Sequence, residues 1–116
     1  MPVLDKKDSP FGEIAPGIKR WELVNGEQGA QSLTVADVIL DSGAKVPIHT
    51  HPTEEAMVVL EGELDAILGD EVIPVTSGQT VLAPPGVRHG FMNRSGATGR
   101  VMAIFPTGRI ERTLVD

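Results

Sequence analysis

Turn-forming residues interrupt this chain too often for it to build long helices. Thirteen glycines and nine prolines are spread along 116 residues, and between them lie apolar runs of four to nine residues. Ile18–Val24 stops at Asn25-Gly26, and Ser32–Leu40 stops at Asp41-Ser42-Gly43. Ala56–Leu60 precedes Gly62. Leu64–Leu68 and Val72–Val75 flank Gly69-Asp70 as a hairpin would. Thr80–Ala83 runs into Pro84-Pro85-Gly86, His89–Asn93 into Ser95-Gly96, and Val101–Phe105 into Pro106. Short strands at such spacing predict an all-β sandwich or barrel. Residues 1–17, with Pro2, Pro10, Pro16, Gly12 and Gly17, read as an irregular arm, or at most one short edge strand, ahead of a single domain over 18–116.

Composition removes several function classes. The chain has no cysteine, which excludes disulfides, thiolate metal sites and cysteine nucleophiles. Its net charge is −6, without a basic cluster and with only 3% aromatic residues. Nucleic acid is therefore not an expected partner. The start, MPVLDKKDSPFG, lacks the apolar run of a signal peptide, and no apolar stretch reaches the roughly 18 residues of a membrane span. The expectation is a cytoplasmic protein without a membrane partner.

The chemistry is concentrated in three histidines, His49, His51 and His89. Residues two apart on a strand face the same way, so His49 and His51 point to one side. Glu55 keeps that parity if Pro52 bends the strand without shifting its register, and Glu54 then faces outward. His89 begins a later strand, which closure of a barrel would bring opposite. Imidazoles and a carboxylate on one face suit a divalent metal. By the same parity Met57 and Phe91 would line a pocket, with Val59 in the core. Arg20 or Trp21 is placed to cap the barrel mouth, with Trp21 equally suited to a dimer contact, and Arg88 and Arg94 flank the second motif either as candidates to meet an anionic substrate or as ordinary exposed arginines. Asn93 reads as a structural residue bonding a turn.

The spacing of these residues carries a family resemblance. Gly43, five residues, His49-Thr50-His51, three residues, Glu55, six residues and Gly62 resemble the first cupin motif. Gly78, five residues, Pro84-Pro85-Gly86, two residues, His89, three residues and Asn93 resemble the second. The two motifs occupy residues 43–93, with 15 residues between Gly62 and Gly78. The resemblance implies a double-stranded β-helix, or jelly-roll barrel. It also implies one divalent transition metal ion per chain (Fe, Mn, Ni, Zn, Co or Cu) held by His49, His51, Glu55 and His89. Octahedral coordination would leave positions open, and Glu55 would double as a candidate catalytic base. Small single-domain cupins of this kind are described as quercetin-dioxygenase-like. The leading functional expectation is thus a metal-dependent oxidoreductase acting on a small oxygen-chelating substrate. A metal-dependent isomerase or lyase is the first alternative, and a non-enzymatic ligand-binding module the second. Without tyrosine, cupins that use one as acid or base are poor guides. Sheet edges need cover, so a homodimer joined through edge strands and the N-terminal arm is expected.

Overall fold

The computed structural model describes residues 2–115. Among them are eleven strands: β1 (Phe11–Ala15), β2 (Ile18–Val24), β3 (Thr34–Leu40), β4 (Lys45–Thr50), β5 (Glu55–Glu61), β6 (Glu63–Leu68), β7 (Glu71–Thr76), β8 (Thr80–Ala83), β9 (His89–Met92), β10 (Gly99–Phe105) and β11 (Thr113–Leu114). They form a six-stranded sheet, β1-β2-β3-β10-β5-β8, and a five-stranded sheet, β11-β4-β9-β6-β7. The architecture is all-β, as the turn spacing predicts, and is the jelly-roll barrel that the motif resemblance implies. Among the described residues helical structure is limited to 3-10 turns at Lys6–Asp8 and Gly26–Gln28, and none of their helices is long and apolar enough to cross a membrane.

The inward faces of the two sheets meet in a main apolar core, with a smaller cluster of Ala36, Ala103 and Phe105 beside it. Ile18, Leu40, Met57, Val59, Leu64, Phe91 and Val101 are all buried in the main core. Alternation accounts for this: on β10, Val101, Ala103 and Phe105 are buried while Arg100, Met102 and Ile104 between them are partly exposed. The motif glycines Gly43, Gly62 and Gly78 take φ of +80°, +91° and +94° at strand ends, a region that L side chains enter only at a cost.

Two local expectations change. Asn25-Gly26 does not close a tight hairpin. Asn25 is buried and caps the 3-10 turn, its Oδ1 accepting from the amides of Glu27 (3.0 Å) and Gln28 (3.3 Å). The arm before Ile18 is partly regular, since β1 pairs with β2 at the edge of the larger sheet. Ahead of it, Lys6 reaches the outer face of that sheet and ties the arm to its own barrel. Its Nζ lies 2.7 Å from Asp37 Oδ2 and 4.4 Å from the centroid of the Trp21 ring. Asp37, 1% exposed, is also held by the Arg100 guanidinium through two bonds of 2.9 Å. Those contacts hold its carboxyl below the usual range, against the effect of burial.

Candidate metal centre

Three elements from both sheets build the site. On β4, Val46 and His49 are both buried although they are three residues apart. A register shift between them against β9 makes this possible and sets His49 directly across from His89. The irregular stretch presses on Gly90: a Cβ there would stand 2.8 Å from the Val46 carbonyl oxygen. Pro47 sits in the irregularity, where a residue without an amide proton is tolerated. β4 ends at Thr50, and β5 begins at Glu55 in the other sheet. The parity argument for Glu55 therefore fails, because the chain changes sheets around Pro52 instead of bending within one strand. Glu55 nevertheless points inward, from the opposite wall, and Glu54 is exposed.

One donor atom from each of His49, His51, Glu55 and His89 lies within 4.8 Å of the others, and all four residues are buried. The imidazoles are oriented from behind. His49 Nδ1 donates to the Pro47 carbonyl at 2.6 Å, His51 Nδ1 to the Glu111 carbonyl at 2.6 Å, and His89 Nδ1 to the Val87 carbonyl at 2.9 Å. A carbonyl only accepts, so each Nδ1 carries the proton and each Nε2 turns toward the cluster. That is the arrangement by which histidine metal ligands are usually held. Phe105 braces the His51 ring edge-on, with centroids 5.0 Å apart.

The electrostatics divide the cluster in two. His89 Nε2 donates to Glu55 Oε1 at 2.8 Å. In the metal-free protein this contact places a shared proton between the His89 imidazole and the Glu55 carboxylate. Burial alone would lower its pKa, but the bonds to Glu55 and Val87 raise it. For Glu55, burial would raise the pKa, and the facing imidazoles of His51 and His89 bring it down. His49 has no such partner, and burial pushes it down to about 4. His51 Nε2 is buried and makes no hydrogen bond, although Glu55 Oε1 is only 3.3 Å away. A buried nitrogen left without a partner, aimed at a carboxylate, fits a cation better than a proton. Three neutral imidazoles and one carboxylate suit divalent Fe, Mn, Co, Ni, Cu or Zn.

The cluster opens into a cavity of about 1060 Å³. Met57 and Phe91, 3% and 4% exposed, lie on its wall, while Val59 is core at 1% and does not line it. On β2 the inward set is Ile18, Arg20 and Glu22, so Arg20 faces the cavity. Trp21 lies outside against Phe11, with ring centroids 4.7 Å apart. Arg88 and Arg94 do not line the cavity; Arg94 pairs with Asp65 at 2.5 Å. Asn93 bonds the carbonyls of Leu40 (3.1 Å) and Ala97 (2.8 Å) and accepts from Ser95, locking the loop after β9. Sequence reasoning missed the C-terminal strap. β11 pairs with β4, Glu111 anchors His51, and Arg109 and Arg112 face the cavity. A backbone carbonyl leaves no mark in a sequence, so only the pairing of Thr113-Leu114 could have hinted at it.

The model of the cupin domain matches residues 36–105. The chain belongs to the cupin family. It is 32% identical over 101 residues to the polyketide synthase CurC of Streptomyces cyaneus, across 86% of this chain and 66% of that protein. It is also 32% identical over 96 residues to the protein SchB of Streptomyces halstedii, across 82% of this chain and 70% of that one. The chain thus spans about two thirds of the length of these relatives. Among solved cupin structures, the polyketide cyclase RemF of Streptomyces resistomycificus superposes with a TM-score of 0.80. It covers 100% of this chain and 87% of its own at 22% identity, a likeness of fold alone.

Proposed function

We propose that this cupin is a metal-dependent enzyme. Its substrate is a small, oxygen-rich molecule of the polyketide type, bound through oxygen atoms to a divalent ion held by His49, His51, Glu55 and His89. The observation that carries the proposal is the shared orientation of the three imidazoles, each tied at Nδ1 to a backbone carbonyl, with Nε2 atoms and Glu55 converging at a cavity wall. Barrel stability alone does not call for such an arrangement beside an open cavity. A divalent ion there supplies Lewis acidity to carbonyl or enol oxygens in its open positions.

The remaining work falls to side chains of this chain. Met57 and Phe91 offer an apolar wall to a flat carbon skeleton and keep water from it. Glu55, buried at the cavity wall, is the candidate acceptor for a proton leaving carbon beside a carbonyl, through the carboxylate oxygen not engaged by the ion. Ring closure and isomerisation both begin with that proton transfer and need no external oxidant. Similarity to a polyketide synthase favours this redox-neutral class over the dioxygenase-like reaction expected from the sequence, which becomes the alternative outcome of one experiment. Metal-loaded protein and the His51→Ala variant are given a series of 1,3-diketones in deuterated buffer under nitrogen, then in air with an oxygen electrode. Metal-dependent deuterium incorporation at the central carbon without oxygen uptake is expected. Oxygen uptake would move the chain to the oxidoreductases, and binding without exchange would make it a binding module.

A further inference from the structure

The cavity holds a second group of polar residues that the metal cluster does not use. Arg20, on β2, lines the cavity beside Val38 and Leu40 of β3. Its side chain is 20% exposed, and its one ion pair among the described residues, Nη2 to Glu22 Oε1, is long at 3.5 Å. Its Nε is covered by protein and bonds to nothing. A guanidinium carries five donors, so this one stands in a largely dry setting with most of its bonding capacity unspent. Its environment gives little relief: burial and the like charge of Arg112 push its pKa down, while Glu22 and the more distant Glu55 only partly counter them.

Charge across the cavity points the same way. Arg20, Arg109 and Arg112 face Glu22, Glu27 and Glu55 along its lining, which balances to zero with neutral histidines. A divalent ion on the cluster would leave the cavity two charges positive, in a chain whose overall charge is −6. An apolar-walled cavity with that local excess selects for anions.

Resting on the chelation reading above, we propose that Arg20 binds a carboxylate of the substrate while the substrate's other oxygens bind the metal. The substrate class is thereby narrowed to flat chelators bearing an acid group, with Arg112 adding to the field from the C-terminal strap. Guanidinium suits this task because its planar fork matches a carboxylate.

The test compares three probes on cobalt-loaded protein under nitrogen by titration calorimetry: catechol, 2,3-dihydroxybenzoate and 3,4-dihydroxybenzoate. All three offer the same chelating pair, and the acids add a carboxylate at two positions. In the unaltered protein one acid should bind about ten- to a hundredfold tighter than catechol, the range for a hydrogen bond to a charged group. Arg20→Gln should bring that ratio to about one without changing cobalt content, and Arg20→Lys should keep part of it because charge without the fork retains some attraction. Rising salt should shrink the ratio in the unaltered protein, which tests charge recognition even if Arg20→Gln fails to fold. Equal binding of catechol and both acids, or a preference that survives Arg20→Gln, overturns the proposal. If the acids bind and catechol does not, and Arg20→Gln abolishes their binding, the anion site stands while chelation falls. If none of the three binds, both fall.

Discussion

Acid should destabilise the metal-free protein through His49. In the folded chain this imidazole is held at about 4, against an ordinary 6.5, because it is buried. The folded state therefore binds fewer protons than the unfolded state between those values, so stability rises with pH across the window. Above about pH 6.5 His49 is neutral in both states and costs nothing; below about pH 4 it is charged in both and the loss is complete. A gap of about 2.5 pH units at about 1.4 kcal/mol each comes to about 3.5 kcal/mol in all. At about pH 5 roughly 2 kcal/mol should already be gone. Glu55 and His89 also titrate, with opposite signs. Glu55, held low, stabilises above its unfolded pKa and loses that as pH falls; His89, held high, stabilises below its unfolded pKa and loses that as pH rises. The comparison with His49→Asn cancels them to first order, since the amide cannot ionise and can still donate to the Pro47 carbonyl. Urea unfolding of both proteins, metal-free, at several pH values from about 8 to 4.5 is the assay. The variant should lose about 2 kcal/mol less than the parent by about pH 5. Parallel loss in the two proteins would refute the claim that His49 is buried neutral.

Other outcomes follow from the same contacts. Metal should displace the proton His89 shares with Glu55, so calorimetry in buffers of different ionisation heat should show about one proton released per ion near neutral pH. Ending the chain at Ile110 removes the Glu111 carbonyl behind His51 and should weaken metal binding by about ten- to a hundredfold in a chelator competition. Gly90→Ala puts a Cβ 2.8 Å from the Val46 carbonyl; it should cost about 1–3 kcal/mol in urea unfolding and lower metal affinity by disturbing His49. For the homodimer expected from the sequence, which would cover edge residues such as Leu82 and Val72, light scattering should give twice 12.3 kDa.

The strands were legible because turn residues mark their ends and because a barrel imposes a period of two. Thr80–Ala83 matches its expected bounds, and β2 does too. The four candidate ligands were legible from residue type and spacing, yet the reasoning for Glu55 was faulty: nothing in His51-Pro52-Thr53-Glu54 announces a change of sheet. The bulge that turns His49 inward was hidden for a related reason. It depends on Gly90 yielding space to a strand more than forty residues earlier, a non-local fit that local pattern does not report. Asp37 shows the same limit. In sequence it is a charge inside an apolar run, and only the arrival of Lys6 and Arg100 makes its burial tolerable. Arg20 was visible as one of two candidates for the barrel mouth. The inward alternation of Ile18, Arg20 and Glu22 decides between them once Ile18 is known to be core.

One divalent ion held by His49, His51, Glu55 and His89 underlies the proposed chemistry. Metal analysis of the full chain, after exposure to Fe, Mn, Co, Ni, Cu and Zn(II) in turn and removal of excess, tests it most directly when paired with X-ray absorption. About one ion per chain is predicted, with three imidazole nitrogens at roughly 2.0–2.2 Å and with retention lost in His51→Ala and His89→Ala but not in Glu54→Gln. Failure to retain any of these ions in stoichiometric amount, or equal retention by the histidine variants, would show that these four residues do not form a metal site.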